Sequence, residues 1–177
     1  MIIGKVYSLD QYEQAIVKLS AEQRHNNKIK TGWDGSKTVN PKSELDLNIT
    51  GFGGEFIFAR ENNLYPDFKI HNTSKVNKTD DYDHQWLGHS VDVKVNRKNH
   101  PLMIPEYANT DCKIFALFTC NYPNYTFEGF SLNNIIFQDC NKRMTKVKSY
   151  VIEKSNLLTK KELLFGCDII TKVLNSI

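Results

Sequence analysis

The sequence has no Cys-X-X-Cys pair, no internal repeat and no low-complexity tract. No apolar run approaches membrane-spanning length, and Met1 to Ser8 lacks the basic-then-apolar pattern of a secretion signal. Its four cysteines, Cys112, Cys120, Cys140 and Cys167, are too scattered for a zinc site or a dithiol redox motif. The expectation is a cytoplasmic chain with reduced thiols and no membrane partner. Cys112 and Cys120 flank an apolar run and are expected as small core residues. Net charge is low as well, +3 over 177 residues, so the total does not mark a nucleic-acid binder. An apolar content of 40% supports an ordinary buried core. The length suits one domain over 1–177, divided into an N-terminal helix and loop (1–50) and a core with a C-terminal helix (51–177).

What is present is patterned. Ser8 with Gln11 has the spacing of a capping box, and Leu9, Tyr12, Ile16 and Leu19 follow at helical intervals, predicting a helix to about Asn26. Lys28 to Ile49 is polar and contains Gly32, Gly35 and Pro41, which predicts a long loop. Such a length suits a flap over a substrate, or conceals a short helix. Gly53-Gly54 leads into Glu55-Phe56, and the spacing of Phe52, Phe56 and Ala59 places Glu55 near the start of a second helix that Pro66 ends. Strands are predicted over Phe68–Ile70, Asp83–Trp86, Ser90–Asn96, Leu102–Pro105, Lys113–Cys120, Tyr125–Phe130 (broken at Gly129) and Lys146–Ile152. A brief helix is expected at Asn133–Phe137. A second capping box, Thr159 with Glu162, opens a final helix with Leu163, Leu164, Cys167, Ile170, Val173 and Leu174 on its apolar face. Helices flanking a run of strands predict an α/β fold.

The stretch from Asp83 to Val95 carries the chemistry. Val91, Val93 and Val95 share one face of a strand, and Asp92 and Lys94 share the other. A two-residue loop at Leu87-Gly88 pairs Trp86 with His89, Gln85 with Ser90 and His84 with Val91. Asp83 then lies across from Asp92, with Cβ atoms ~5 Å apart. Two carboxylates that close repel unless a cation joins them, and hard oxygen ligands suit Mg²⁺. Lys94 projects from the same face and offers a positive charge to a reacting phosphate. An alternating charged strand that is merely solvated accounts for Asp-X-Lys alone; the upstream Asp at matching parity is what sharpens the signal.

These residues resemble the PD-(D/E)XK nuclease superfamily, in which a hairpin carries an Asp and then a (D/E)XK tripeptide. Asp83 matches the first and Asp92-Val93-Lys94 the second; Glu55 matches the Glu that the family often places on a preceding helix. Phe127 to Ser131, and Tyr150 to Glu153 with the helix after Thr159, are also similar to small members. Tyr82 stands where the family's Pro would, and Asp81 shares the parity of Asp83 and rivals it, whereas Asp80 and the Pro66-Asp67 pair fit less well. The resemblance implies a central mixed β-sheet flanked by helices, a restriction-endonuclease-like core. It implies a Mg²⁺-dependent deoxyribonuclease, with Mn²⁺ able to substitute. The metal would be held by Asp83, Asp92, the Val93 carbonyl and Glu55, with Lys94 serving the nucleophile and transition state. DNA is the implied partner, with a homodimer where both strands are cut, and small members of this kind are frequent in phages. The alternative is an inactive protein of the same fold that binds nucleic acid or inhibits.

Further residues are weighed against blander roles. Arg97 and Lys98 stand where they would meet a phosphate beside the scissile bond, or form a solvated strand end. Lys146 and Lys148 belong to a stretch, Asn141 to Lys161, with seven basic residues and one acidic residue, Glu153. That stretch is a nucleic-acid face or a solvated surface. His84 has the wrong parity to join the carboxylates, and His89 sits at the turn; both are expected to be structural. Trp33 is expected to pack within the domain rather than stack on a base, and Tyr122, Tyr125 and Phe127 to pack in the sheet.

Overall fold

The computed structural model describes residues 1–30, 41–69, 82–108 and 111–174. Asp10, not Ser8, caps the first helix, α1 (Gln11–Lys30). Its Oδ1 accepts the N–H groups of Tyr12 and Glu13, both at 2.8 Å, and Glu13 Oε2 accepts the Asp10 N–H at 2.9 Å. The capping box therefore starts two residues later than expected. Ser8 is committed elsewhere: it ends strand β1 (Val6–Ser8) and donates to Asn124 Oδ1 at 2.6 Å. The inward face of α1 also differs from the expected stripe. Val17, Ala21 and His25 are buried, while Tyr12, Ile16 and Leu19 are exposed.

The expected loop from Lys28 to Ile49 gives way at Pro41, which opens a 21-residue helix, α2 (Pro41–Glu61). Proline suits a first helical position, where its missing N–H has no partner to lose. Glu55 therefore sits well inside α2 instead of near its start. The helix ends through Asn63, in left-handed conformation (φ 55°), with Leu64 N–H donating to Ala59 O and Asn63 N–H to Arg60 O. This Schellman closure, and not Pro66, stops it. Gly32, Gly35 and Trp33 lie outside the described residues.

The strands are β2 (His84–Trp86), β3 (His89–Asn96), β4 (Leu102–Pro105), β5 (Ile114–Asn121), β6 (Asn124–Leu132), β7 (Lys142–Met144) and β8 (Lys148–Ile152). Among the described residues the remaining α-helices are α3 (Asn133–Ile136) and α4 (Lys160–Leu174), with single 3-10 turns at Asp139–Asn141 and Lys154–Asn156. Five strands form a mixed sheet in the order β1-β6-β5-β3-β2, with β3 and β5 parallel and the other pairs antiparallel. A second, antiparallel sheet runs β4-β8-β7. The fold is α/β. The short strands β1 and β7 were not expected. The strand expected at Phe68–Ile70 is absent over Phe68 and Lys69, and Ile70 lies outside the described residues. Asp67 Oδ1 instead accepts the Lys69 N–H at 2.9 Å, and the Phe68 ring packs edge-on against Phe52. Strand β6 continues through Gly129 (φ 137°) to Leu132, absorbing the irregularity as a bulge opposite Leu117 and Phe118. Thr159 and Glu162 form the expected reciprocal cap on α4, whose Leu163 and Cys167 are buried. Leu164 is exposed, and the side chains of Ile170, Val173 and Leu174 lie outside the described set.

Two apolar clusters sandwich the main sheet. One joins Val91, Val93, Ala116 and Phe118 to Phe52, Phe56, Ile57 and Phe58 of α2. The other joins Phe115 and Leu117 to Leu102, Ile104 and Ile152 of the small sheet. Cys112 and Cys120 are buried in these layers, as expected. Gly53 and Gly54 set how closely α2 approaches. A Cβ at Gly54 would collide with Val95 Cγ2, and one at Gly53 with the Tyr125 hydroxyl. That hydroxyl donates to Thr50 O at 3.1 Å in the interior.

Gly53→Ala therefore sets a helix-propensity gain of about 1 kcal/mol against overpacking of about 1–3 kcal/mol and a disturbed buried hydrogen bond of about 1 kcal/mol. A net loss of about 1–3 kcal/mol is expected in urea unfolding. A more stable variant would contradict the close helix–sheet contact.

Candidate active site

The β2–β3 hairpin has the anticipated register, with His84 opposite Val91, Gln85 opposite Ser90 and Trp86 opposite His89. Leu87 and Gly88 both have positive φ (53° and 80°), as a two-residue type I′ turn requires. Beyond the last pair, β2 leaves β3. Asp83 N–H still donates to Val91 O at 2.9 Å, but the next bond is made by a side chain: Asp83 Oδ2 accepts Val93 N–H at 2.6 Å. A strand residue's N–H and C=O point to the same side, so the Val93 carbonyl faces this same opened edge.

Glu55, Asp83, Asp92 and Lys94 lie close enough there to act on one another electrostatically. Lys94 Nζ pairs with Asp92 Oδ2 at 2.7 Å, and Arg24 Nη1 pairs with Glu55 Oε2 at 3.2 Å. The side chains of Asp92 and Glu55 are only 15% and 18% exposed, that of Lys94 40%. Helix α2 brings Glu55 to the hairpin, and His84 fastens the two: its Nε2 lies 3.0 Å from Glu55 O and its ring stacks on Phe58 at 5.5 Å. The expectation that His84 faces away from the carboxylates holds. Burial lowers the pKa of its imidazole, consistent with a neutral, structural ring.

Electrostatics tie the group together. Burial, then the charges of Glu55 and Asp92, push the Asp83 carboxyl well above its usual range, against the Val93 N–H and Lys94. Burial also raises Glu55; Arg24 opposes this and Asp92 adds to it. Burial by itself would lower the Lys94 ammonium, but Asp92, Asp83 and Glu55 outweigh it and raise its pKa. Lys94 is therefore a firm cation at neutral pH. Among the described residues no three His, Cys, Asp or Glu side chains converge tightly enough to form a ready-made metal cage. Arg24, Lys94 and the Val93 N–H each engage one carboxylate. The donor chemistry nevertheless fits a hard divalent cation: carboxylate oxygens, with Asp83 and Glu55 raised in pKa first by burial and then by neighbouring negative charge, beside a backbone carbonyl.

Arg97 is exposed and donates through Nε and Nη2 to Thr50 Oγ1, at 3.3 and 3.1 Å. Lys98 is exposed beside it. Lys146 and Lys148 lie at the β7–β8 hairpin, on a different sheet from the carboxylates, and Lys148 pairs with Glu106 at 3.2 Å. Asp80 and Asp81 lie outside the described residues. Arg24 escaped the sequence reading. Its helical register with Val17 and Ala21 carried the signal, which the more apolar stripe of Tyr12, Ile16 and Leu19 masked. No protein-family model, curated protein or solved structure matches the chain. Among the described residues no helix is long and apolar enough to cross a membrane.

The raised Asp83 carboxyl has a consequence for stability. Its folded form holds a proton that the unfolded chain releases near pH ~4, so its contribution declines as pH rises from there through the raised value. Asp83→Asn keeps an acceptor for the Val93 N–H and removes the charge. Relative to wild type it is expected to melt ~2–4 °C higher at neutral pH, equivalent to ~1 kcal/mol, with the gap closing toward pH 4. Millimolar Mg²⁺ should narrow the gap by stabilising the wild type alone. Thermal melts over a pH series, with and without Mg²⁺, check this; a gap that is constant with pH would refute it.

Proposed function

We propose that this protein is a metal-dependent nuclease that hydrolyses phosphodiester bonds in DNA, built on a restriction-endonuclease-like PD-(D/E)XK core and working in the cytoplasm. The observation that carries the reading is the placement of Asp83 on the Val93 N–H at 2.6 Å, the Asp92–Lys94 pair at 2.7 Å and the half-buried Glu55 of α2 beside the hairpin, where β2 parts from β3.

Asp83, Asp92, the Val93 carbonyl and Glu55 are the groups that would hold Mg²⁺, or Mn²⁺ in its place. When bound, such a cation polarises the phosphate and makes water a stronger nucleophile. The chain's own residues supply the rest. Lys94 offers a cation and hydrogen-bond donor to the phosphoryl oxygens. Its ammonium supports the charge that builds as the water oxygen–phosphorus bond forms and the phosphorus–sugar oxygen bond breaks. Arg24 holds Glu55 in place and limits the negative charge around it. The low exposure of Asp92 and Glu55 keeps bulk water from screening these charges.

A second reading has one observation of its own. Glu55, Asp83 and Asp92 each already have a donor within the protein, which suits an inactive nucleic-acid-binding or inhibitory protein on the same fold.

Digestion of supercoiled and linear plasmid with Mg²⁺, Mn²⁺ or chelator separates the two. Metal-dependent cutting is expected, with a loss of about 10²–10³-fold in Lys94→Ala, as for removal of a preorganised group that supports transition-state charge. The product pattern then distinguishes nicking, double-strand cutting and exonuclease action. Failure to cut duplex, single-stranded or branched DNA, or RNA, under any metal would overturn the nuclease reading in favour of the second.

A further inference from the structure

A cleft of about 460 Å³ opens where the parallel strands β3 and β5 end. Its lining includes Lys18 of α1, Asp46 and Thr50 of α2, Arg97 just after β3, and Asn121 and Tyr122 at the end of β5. In open α/β sheets the crevice outside the carboxyl ends of parallel strands is where ligands enter, and this volume suits one small ligand or a single nucleotide.

The chemistry of the lining narrows the ligand. Two cations face one carboxylate, and among the described residues neither Lys18 nor Arg97 forms an ion pair. Arg97 is already oriented, because Thr50 Oγ1 accepts from its Nε and Nη2, and Thr50 in turn donates to Asp46 O at 2.7 Å. Nη1 makes no hydrogen bond among the described residues and remains for an incoming acceptor. A guanidinium so held loses little freedom on binding an oxyanion. Tyr122 presents a partly exposed ring, braced edge-on by Tyr125 with centroids 6.5 Å apart. Cations beside an exposed aromatic ring are the elements that bind a nucleotide in a single strand: charge for the phosphate, a flat face for the base.

Position relates the cleft to the carboxylates. Thr50 precedes Glu55 by five residues of helix, a rise of ~7.5 Å. Arg97 follows Lys94 by three residues of nearly extended chain, ~10 Å. Successive phosphates rise ~3.4 Å along the axis of B-form DNA and lie about twice as far apart along the strand itself, so these offsets span one to two phosphates.

We propose that this cleft is a nucleotide subsite, in which Lys18 and Arg97 hold one phosphate of the substrate strand one to two positions from the bond to be cut, while Tyr122 stacks on the adjoining base. The inference rests on the nuclease reading for the identity of its ligand, and it concerns binding, which needs no cutting.

The test is equilibrium binding of short fluorescein-labelled single-stranded and duplex DNA to the whole protein, in chelator, over a range of salt concentrations. Tyr122→Leu is expected to weaken single-strand binding about tenfold, within the range for loss of a stacked base. Lys18→Ala and Arg97→Gln are each expected to weaken binding and to reduce the slope of log affinity against log salt by about one. Lys18 is exposed and free of hydrogen bonds among the described residues, so its variant stays informative if Arg97→Gln perturbs the fold; thermal melts check all three. DNA binding by the wild type that none of the variants alters, in affinity or in salt slope, would overturn the subsite, as would no binding by the wild type. Plasmid cutting alongside unaltered variant binding would sink the subsite and leave the nuclease reading standing. Cleft-dependent binding without cutting under any metal would do the reverse.

Discussion

Helix α2 lies so close to the main sheet that two of its positions admit no side chain, and the rest of the candidate site depends on that contact. At Gly53 and Gly54 the helix backbone meets the Tyr125 hydroxyl and Val95 directly. The aromatic side chains that follow pin it: Phe58 stacks on His84 and lies edge-on to Trp86 and Phe130. Glu55 falls between these two anchor points. It is carried toward the hairpin as a consequence of packing, and the His84 bond to its carbonyl fixes the backbone at that residue. A larger residue at either glycine would lift the helix and move Glu55 with it, since packed interiors yield little to an added methyl group.

The carboxylates so assembled are an unfavourable arrangement for folding, and the protein limits the penalty without removing it. Arg24 and Lys94 each neutralise one of them, and the Val93 N–H hydrogen-bonds a third. The Asp83 carboxyl is pushed well above its usual range, because burial and two like charges act on it together. Buried charges are tolerated where a further cation or a reacting group completes them, and groups with shifted pKa values cluster at functional sites for this reason.

The opened hairpin has a structural logic of its own. Strand β2 is only three residues long, and where it leaves, Asp83 supplies through its side chain the hydrogen bond that a backbone carbonyl would have made. The edge of β3 is thereby left accessible while its ladder stays satisfied. On the opposite side β3 is held by the parallel pairing with β5. Further along the sheet a second buried-edge ion pair, Lys154 with Glu128 at 2.6 Å, also reaches Thr119 and Asn99. It joins β5, the bulged β6 and the turn after β3 into one unit. That network is fully paired, in contrast to the cations of the cleft at the ends of β3 and β5.

Local pattern determined what local physics controls. The alternation from Val91 to Val95, the Leu87-Gly88 turn and the Thr159–Glu162 cap were legible because each depends on residues within a few positions of one another. They were enough to place Asp92 and Lys94 on one face, but the expected pairing of Asp83 with Asp92 did not form, because β2 leaves β3 after His84–Val91 and the Asp83 side chain meets the Val93 N–H instead. The sequence did not show the length of α2, since three glycines and a polar beginning argue against a helix until the sheet that buries it is present. It also misdirected the face of α1: Tyr12, Ile16 and Leu19 are the more apolar stripe, yet packing against α2 selected Val17, Ala21, Arg24 and His25. The Arg24–Glu55 pair, the helix–sheet contact through Gly53 and Gly54, and the cleft between α1, α2 and the strand ends join residues 25 to 104 positions apart. Only tertiary structure decided them, because which distant surfaces meet is set by how the layers fill space and not by the pattern along any one segment.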